Sequence, residues 1–152
     1  MARLVFSGLF DRHPDLKIIT HHMGAMIPYF AGRIAQGWGL EMGARTPPSD
    51  ADLLPRPLHR RPEDYFKMFL ADTALPGAVG ATRCGLEYFG ADKVVFASDF
   101  PFDAEGGCYL VRETIKALDA LDLPGAVRRQ IDVGNISKLI RREQDSRQDE
   151  SR

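Results

Sequence analysis

The chain has 152 residues, of which 44% are hydrophobic, and its formal net charge at pH 7 is −1. This composition suits one globular domain, and the mixed charges offer no basic field that would attract nucleic acid or an anionic membrane. No apolar run approaches the roughly 20 residues of a membrane-spanning helix. The two cysteines, Cys84 and Cys108, stand apart from each other. We therefore expect a cytoplasmic protein with reduced thiols.

The first 62 residues predict two helices, one strand and a loop. Residues 2–11 have apolar positions near helical spacing, and residues 16–20 form an apolar run that follows Pro14. From residue 26 to about residue 40 the apolar positions again recur at helical intervals. Residues 43–62 are rich in proline and charge without periodicity, which predicts a surface loop or insertion.

The middle of the chain repeats the order strand, helix, strand. After a short helical turn at residues 63–67, the run at residues 68–75 predicts a second strand, and the small residues of 78–89 predict a helix. A third apolar run begins at Lys93 and is expected to stop at Pro101. Strands that alternate with helices in this way predict a parallel sheet.

Three further helices are predicted before a polar end of the chain. Residues 108–121 have one apolar side, and a last pair of helices is expected at residues 124–131 and 135–142. Residues 143–152 are almost wholly polar and predict a disordered tail. The expected fold is therefore α/β, with one domain over residues 1–142.

His22 and Asp99 are the strongest candidates for chemistry. Each follows a predicted strand, and in α/β folds the residues beyond the carboxyl ends of parallel strands line the active site. An imidazole and a carboxylate at such an edge suit metal binding or acid–base catalysis. The structural alternatives are a strand-end histidine bonded to a carbonyl and an aspartate that caps a turn.

Other polar residues near these strand ends are not expected to take part directly in the chemistry. His21 and His22 are expected to point to opposite faces of a strand, so only one of them enters the cleft. Ser98 should likewise point away from Asp99. Asp72 and Asp103 lie near strand ends but are interpreted as structural or supporting residues.

Four segments together resemble one family. They are residues 14–24 (PDLKIITHHMG), 28–34 (PYFAGRI), 90–102 (GADKVVFASDFPF) and 134–140 (GNISKLI). In order and spacing they are similar to the carboxyl-terminal half of amidohydrolase-related (amidohydrolase 2) proteins, typified by aminocarboxymuconate semialdehyde decarboxylase. The resemblance runs over roughly residues 1–142, and the combination of separated motifs is more specific than any one of them.

The resemblance implies a (β/α)8 barrel with one divalent metal, most often Zn²⁺. It implies nonoxidative decarboxylation, or a related hydrolysis, of a small carboxylic acid. His22 falls on the family's sixth-strand histidine, a proton-transfer group near the metal, and Asp99 on its eighth-strand aspartate, a metal ligand. Residues 1–142 would then be about three carboxyl-terminal βα units and the following helices, whereas His21 inherits no role.

The sequence departs from the family in the ligands that it lacks. The family's His-x-His or Glu-x-His on the first strand and its fifth-strand histidine have no counterpart here. A full barrel takes about 250 residues, and a catalytic zinc usually has three protein ligands. We therefore expect an incomplete metal site that works only if another chain supplies the rest, with a homo-oligomer or a partner chain as the assembly. The alternatives are a noncatalytic barrel remnant that acts as an interaction or oligomerisation module, and a piece of a longer protein.

Overall fold

The computed structural model describes residues 1–37 and 58–140. Within these residues the sheet has three parallel strands in the order β1-β2-β3: β1 (Ile19–Thr20), β2 (Leu70–Asp72) and β3 (Val94–Val95). Thr20 pairs with Ala71, which in turn pairs with Val94. The parallel sheet is confirmed, although each strand is shorter than its apolar run predicted.

Helices follow each strand and also precede the first. In chain order they are α1 (Ala2–Phe6), α2 (Leu9–Arg12), α3 (Ile27–Gln36), α4 (Pro62–Phe66), α5 (Val79–Phe89), α6 (Cys108–Asp119) and α7 (Gly125–Arg129). Short 3-10 turns lie at His22–Gly24 and Ala91–Lys93. Within the described ranges, no helix has the length and apolar character needed to cross a membrane.

Two predicted helical regions differ from the structure. The helix predicted over residues 2–11 is divided into α1 and α2 at Gly8, whose φ of 69° favours glycine. The predicted final pair is joined, because α7 continues through a π-helical turn, Gln130–Gly134, into helical residues 135–140. Most of the surface loop predicted over residues 43–62 lies outside the described residues, as do the end of the helix expected after residue 26 and the tail; at the end of that predicted loop, Pro62 already belongs to α4.

The core lies between the sheet and the helices that cover one of its faces. Ala71 and Val94 are fully buried there, and Ile131 of the π-helical turn packs in the same cluster. Phe10 of α2 meets Phe69 edge to face with ring centroids 5.0 Å apart. Because successive side chains of a strand alternate between its two faces, the remaining side chains of the described strands point to the opposite face of the sheet.

Asn135 fixes the carboxyl-terminal helix against the start of β3. Its side-chain amide donates hydrogen bonds to the carbonyl oxygens of Ala91, at 2.7 Å, and Val94, at 2.6 Å, and the residue is 4% exposed. A buried amide with two backbone partners is costly to replace. This contact gives a structural reason for Asn135 in the last of the four sequence segments.

Candidate active site at the carboxyl ends of the strands

The carboxyl ends of the three strands meet at one edge of the sheet. His22 follows β1, Asp72 ends β2, and Asp99 lies four residues beyond β3. Because β2 lies between the outer strands, His22 and Asp99 do not lie on neighbouring strands. Neighbouring strands are about 4.8 Å apart, so the axes of β1 and β3 are roughly 10 Å apart. The two candidates therefore share one edge without being direct neighbours.

His22 is held by the end of β2 in a defined orientation. Its backbone N–H donates to Oδ1 of Asp72 at 2.8 Å, and its Nδ1 lies 2.7 Å from the carbonyl oxygen of Ala74. A carbonyl only accepts hydrogen bonds, so Nδ1 carries a proton. In the neutral ring Nε2 is then the unprotonated nitrogen, and no described residue bonds to it. This geometry leaves Nε2 available to accept a proton.

His21 also contacts the end of β2, contrary to the alternation expected from a strand. Its Nδ1 lies 3.1 Å from Oδ2 of Asp72, and its side chain is 82% exposed. The strand ends at Thr20, and His22 has a φ of 52°, so the two-residue period does not continue through these residues. The two imidazole rings lie with centroids 6.1 Å apart.

Asp72 connects the two histidines to the sheet. It is 3% exposed, and besides the contacts to His21 and His22 its Oδ1 accepts the backbone N–H of Ala74 at 3.1 Å. A buried carboxylate is stable only when donors of this kind surround it. These hydrogen bonds agree with the expectation that Asp72 is a structural or supporting residue. The sequence did not indicate that its partners would be the two histidines.

Asp99 presents a different environment. It is exposed, its φ is 66°, and its side chain has no hydrogen bond or ion pair within the described part of the chain. Aspartate tolerates this left-handed conformation better than most residues. Phe100 and Phe102 beside it are 62% and 80% exposed. Ser98 is buried, in keeping with the expectation that it points away from Asp99.

Asp103 organises the loop that follows. Its carboxylate accepts backbone N–H groups from Glu105, Gly107 and Leu110 at 2.6, 3.1 and 3.0 Å. Desolvation acts to raise the pKa of Asp103, but these hydrogen bonds outweigh it and lower the pKa below its usual value. The expected structural role of Asp103 is confirmed.

The edge supplies only part of a metal site. The Asp99 carboxylate and Nε2 of His22 are unpaired donors of the types that divalent cations bind in proteins. Yet residues 1–37 and 58–140 contain no group of three or more His, Cys, Asp or Glu side chains that could hold a metal ion. The donor chemistry fits a divalent cation, whereas the number of ligands does not complete its coordination.

Parallel strand–helix units with an imidazole and a carboxylate at one strand edge define a barrel-type α/β architecture with its site at the carboxyl ends. Residues 1–142 match the model of the amidohydrolase family. The chain belongs to that family, as the four sequence segments predicted.

Several proteins that this chain resembles are decarboxylases by name. The chain is 36% identical over 104 residues to a gamma-resorcylate decarboxylase of Rhizobium sp., covering 66% of this chain and 28% of the relative. Its fold matches crystal structures of 5-carboxyvanillate decarboxylase from Sphingomonas paucimobilis (28% identity, TM-score 0.71, 91% of this chain and 38% of the other). It also matches the crystal structure of dihydroxybenzoic acid decarboxylase from Polaromonas sp. JS666 with bound manganese and the inhibitor 2-nitroresorcinol. There the sequence identity is 29% and the TM-score 0.69, and the match covers 91% of this chain and 38% of the other.

These matches confirm the expected fold, a partial (β/α)8 barrel of about three carboxyl-terminal units. The chain spans less than two-fifths of the length of these relatives.

Proposed function

We propose that this chain supplies the carboxyl-terminal part of the active site of a metal-dependent, nonoxidative decarboxylase. The substrate would be a small aromatic carboxylic acid with a ring hydroxyl group. The observation that carries the proposal is the His22 ring: Nδ1 is committed to Ala74, which leaves Nε2 free at the strand edge. Family membership and the decarboxylase names of the relatives support the reaction class over hydrolysis.

His22 would move the proton that the reaction requires. When the bond between the ring carbon and the carboxylate carbon breaks, its electron pair stays on the ring carbon and carbon dioxide leaves. A proton must then join that carbon. Nε2 can take a proton from solvent and deliver it, while the bond from Nδ1 to Ala74 keeps the ring in place.

Asp99 would be a ligand of the divalent cation. A bound cation would supply positive charge for the anionic oxygens of the substrate. Asp99 suits this role because its carboxylate is exposed and has no competing partner among the described residues. The remaining ligands must come from residues beyond those described. Manganese is the ion named with the Polaromonas relative, so Mn²⁺ is the first ion to test, and Zn²⁺ stays a prediction.

A complementation assay tests the proposal. The full chain would be co-expressed with the part of the Rhizobium decarboxylase that it does not match, and the complex given Mn²⁺ and 2,6-dihydroxybenzoate. We expect release of carbon dioxide and resorcinol, abolished by Asp99→Ala. Asp92→Asn is the matched control, because Asp92 is also exposed but lies before β3, at the opposite edge. A folded complex that binds Mn²⁺ yet decarboxylates no hydroxybenzoate would contradict the proposal.

The alternative is an interaction or oligomerisation module, and exposed aromatic side chains favour it. Phe100 and Phe102 lie beside Asp99, and Tyr29 of α3 is 74% exposed. Exposed apolar groups of this size often mark association surfaces. Light scattering coupled to gel filtration would show a stable oligomer that Phe102→Ser weakens, and a monomer at all concentrations would exclude this alternative.

A further inference from the structure

The end of β2 carries a buried carboxylate on the face opposite the core. Ala71 belongs to the core cluster, so Asp72, the next residue along the strand, points to the other face. Only 3% of Asp72 is exposed. In a barrel this face is the interior, and the carboxyl end of a strand is where functional side chains lie.

The hydrogen bonds of Asp72 form a closed cycle with His22. Oδ1 accepts the backbone N–H of His22 at 2.8 Å and that of Ala74 at 3.1 Å. The carbonyl of Ala74 in turn accepts Nδ1–H of His22 at 2.7 Å. One carboxylate oxygen thus fixes both the backbone of His22 and the group that orients its ring. Removal of that oxygen would release both at once.

The other oxygen of Asp72 orients the second imidazole. Oδ2 lies 3.1 Å from Nδ1 of His21. An ionised carboxylate only accepts hydrogen bonds, so the proton is on Nδ1 of His21 as well. The ring is 82% exposed, and its Nε2 has no partner within the described residues.

The turn that carries both rings needs such an anchor. His22, Met23 and Ala25 have φ values of 52°, 52° and 53°, and sparsely populated backbone conformations of this kind cost non-glycine residues about 1–3 kcal/mol each. Conformations of this kind persist where surrounding contacts hold them, and they concentrate at functional sites. The two contacts of Asp72 at this turn, with His21 and with the backbone of His22, are contacts of that kind.

We propose that Asp72 is the positioning residue of the active site: its buried carboxylate holds His21 and His22 with their protons on Nδ1. The edge then presents two unprotonated Nε2 atoms, one on His22 for proton transfer and one on His21 as an acceptor for a substrate hydroxyl group. This inference rests on the proposed function for the chemistry of the two rings. The geometry that it claims can be measured without catalysis.

Long-range ¹H–¹⁵N NMR spectra of the histidine rings test it directly, because they distinguish the two neutral tautomers. Spectra of the full chain would be recorded at about pH 8.5, well above the ordinary histidine pKa of about 6.5. We expect both His21 and His22 to be protonated on Nδ1 in the wild-type protein. If either ring carries its proton on Nε2, the inference is overturned without any variant.

The substitution Asp72→Asn should affect the tautomers of His21 and His22 differently. The amide oxygen can still accept the two backbone N–H groups, but the amide nitrogen would donate to Nδ1 of His21. The dominant tautomer of His21 should therefore invert, while His22 keeps its proton on Nδ1. A His21 tautomer that does not change would overturn the inference, and Asp92→Asn should alter neither ring. Should Asp72→Asn fail to fold, the wild-type tautomers remain decisive.

The outcomes also separate this inference from the proposed function. If both tautomers are as expected but the complemented protein releases no carbon dioxide, the proposed function fails and the role of Asp72 stands. If the complemented protein is active but either ring is protonated on Nε2, only the role of Asp72 fails. A KM for 2,6-dihydroxybenzoate that rises in Asp72→Asn with little change in kcat would support the role given to His21, because His22 keeps its orientation in this variant.

Discussion

The end of β1 and the end of β3 contribute to the same edge in opposite ways. At the β1 end, the His22 backbone and both imidazoles are tied to β2, through a carboxylate that is 3% exposed and the Ala74 carbonyl. At the β3 end, Asp99 is exposed and has no side-chain partner in the described segments, and Phe100 and Phe102 beside it are exposed as well.

The comparison distinguishes side chains that are oriented by contacts within the described part of this chain from side chains that are not. The proposed proton-transfer group, His22, is held in place by hydrogen bonds to Asp72 and Ala74 of the same chain, so it needs no further residues to define its orientation. The proposed metal ligand is not held in this way. Its carboxylate would gain its partners from the cation and from the other residues that bind it. We expect the β1 end to be sensitive to substitution in this chain and the β3 end to be tolerant.

The largest effect on stability should come from removal of the Asp72 carboxylate, and removal of the Asp99 carboxylate is the comparison. Asp72→Ala leaves buried backbone N–H groups without an acceptor, and we expect the free energy of unfolding to fall by about 3 kcal/mol. Asp99→Ala removes an exposed group and should change it by no more than about 0.5 kcal/mol. Urea denaturation followed by circular dichroism measures both. Equal effects of the two substitutions would contradict the comparison.

Substitutions at two glycines of α5, Gly85 and Gly80, test whether packing against this helix holds the turn after β1 in place. A Cβ at Gly85 would lie 1.8 Å from Cγ of Met23, which is 1% exposed, so Gly85→Ala must displace the residue next to His22. We expect a loss of about 1–3 kcal/mol. Gly80→Ala on the same helix meets no atom within 4 Å and should gain up to about 1 kcal/mol.

Thermal unfolding of these two variants would show shifts of opposite sign. A shift of the same sign and size in both would mean that Met23 does not hold the turn against α5.

Thr73 tests how far the β3 end depends on β2. Its hydroxyl donates to the Ala97 carbonyl at 2.8 Å and accepts the Ala97 N–H at 3.0 Å, in place of ladder hydrogen bonds. Thr73→Val keeps the shape of the side chain but leaves both groups without a partner, at a cost of about 1–2 kcal/mol. Hydrogen exchange should then accelerate at Ala97 and not at Thr20. Unchanged exchange at Ala97 would show that these contacts do not stabilise the approach to Asp99.

The smallest effect concerns pH and the loop after Asp99. The lowered pKa of Asp103 means that its ionised form is favoured in the folded state. Its contribution to stability is therefore present above the unfolded pKa of about 3.9 and is lost as pH falls through the lower folded value. The difference in stability between wild type and Asp103→Asn should shrink from pH 5 towards pH 2. A difference that stays constant would exclude this contribution.

The sequence predicted the order of strands and helices because apolar runs and periodicity are local signals. It also placed His22 and Asp99 correctly after β1 and β3. It overestimated strand length; between β2 and β3 the ladder stops where the Thr73 hydroxyl, rather than its backbone, pairs with Ala97. It did not predict the link between His21 and Asp72, which are 51 residues apart and meet only because β1 and β2 are paired. Contacts between distant segments, and the left-handed backbone at His22, have no local signal.

The most direct test of the account is where Mn²⁺ binds on the full chain. A single carboxylate, that of Asp99, binds Mn²⁺ weakly, so millimolar Mn²⁺ would be titrated while paramagnetic broadening of the backbone amide signals is followed. The account predicts that signals of His22 and Asp99 broaden together, that Asp99→Asn removes the effect, and that Asp92→Asn does not. Broadening centred elsewhere, or unchanged in Asp99→Asn, would contradict the claim that these two strand ends share one metal-binding edge.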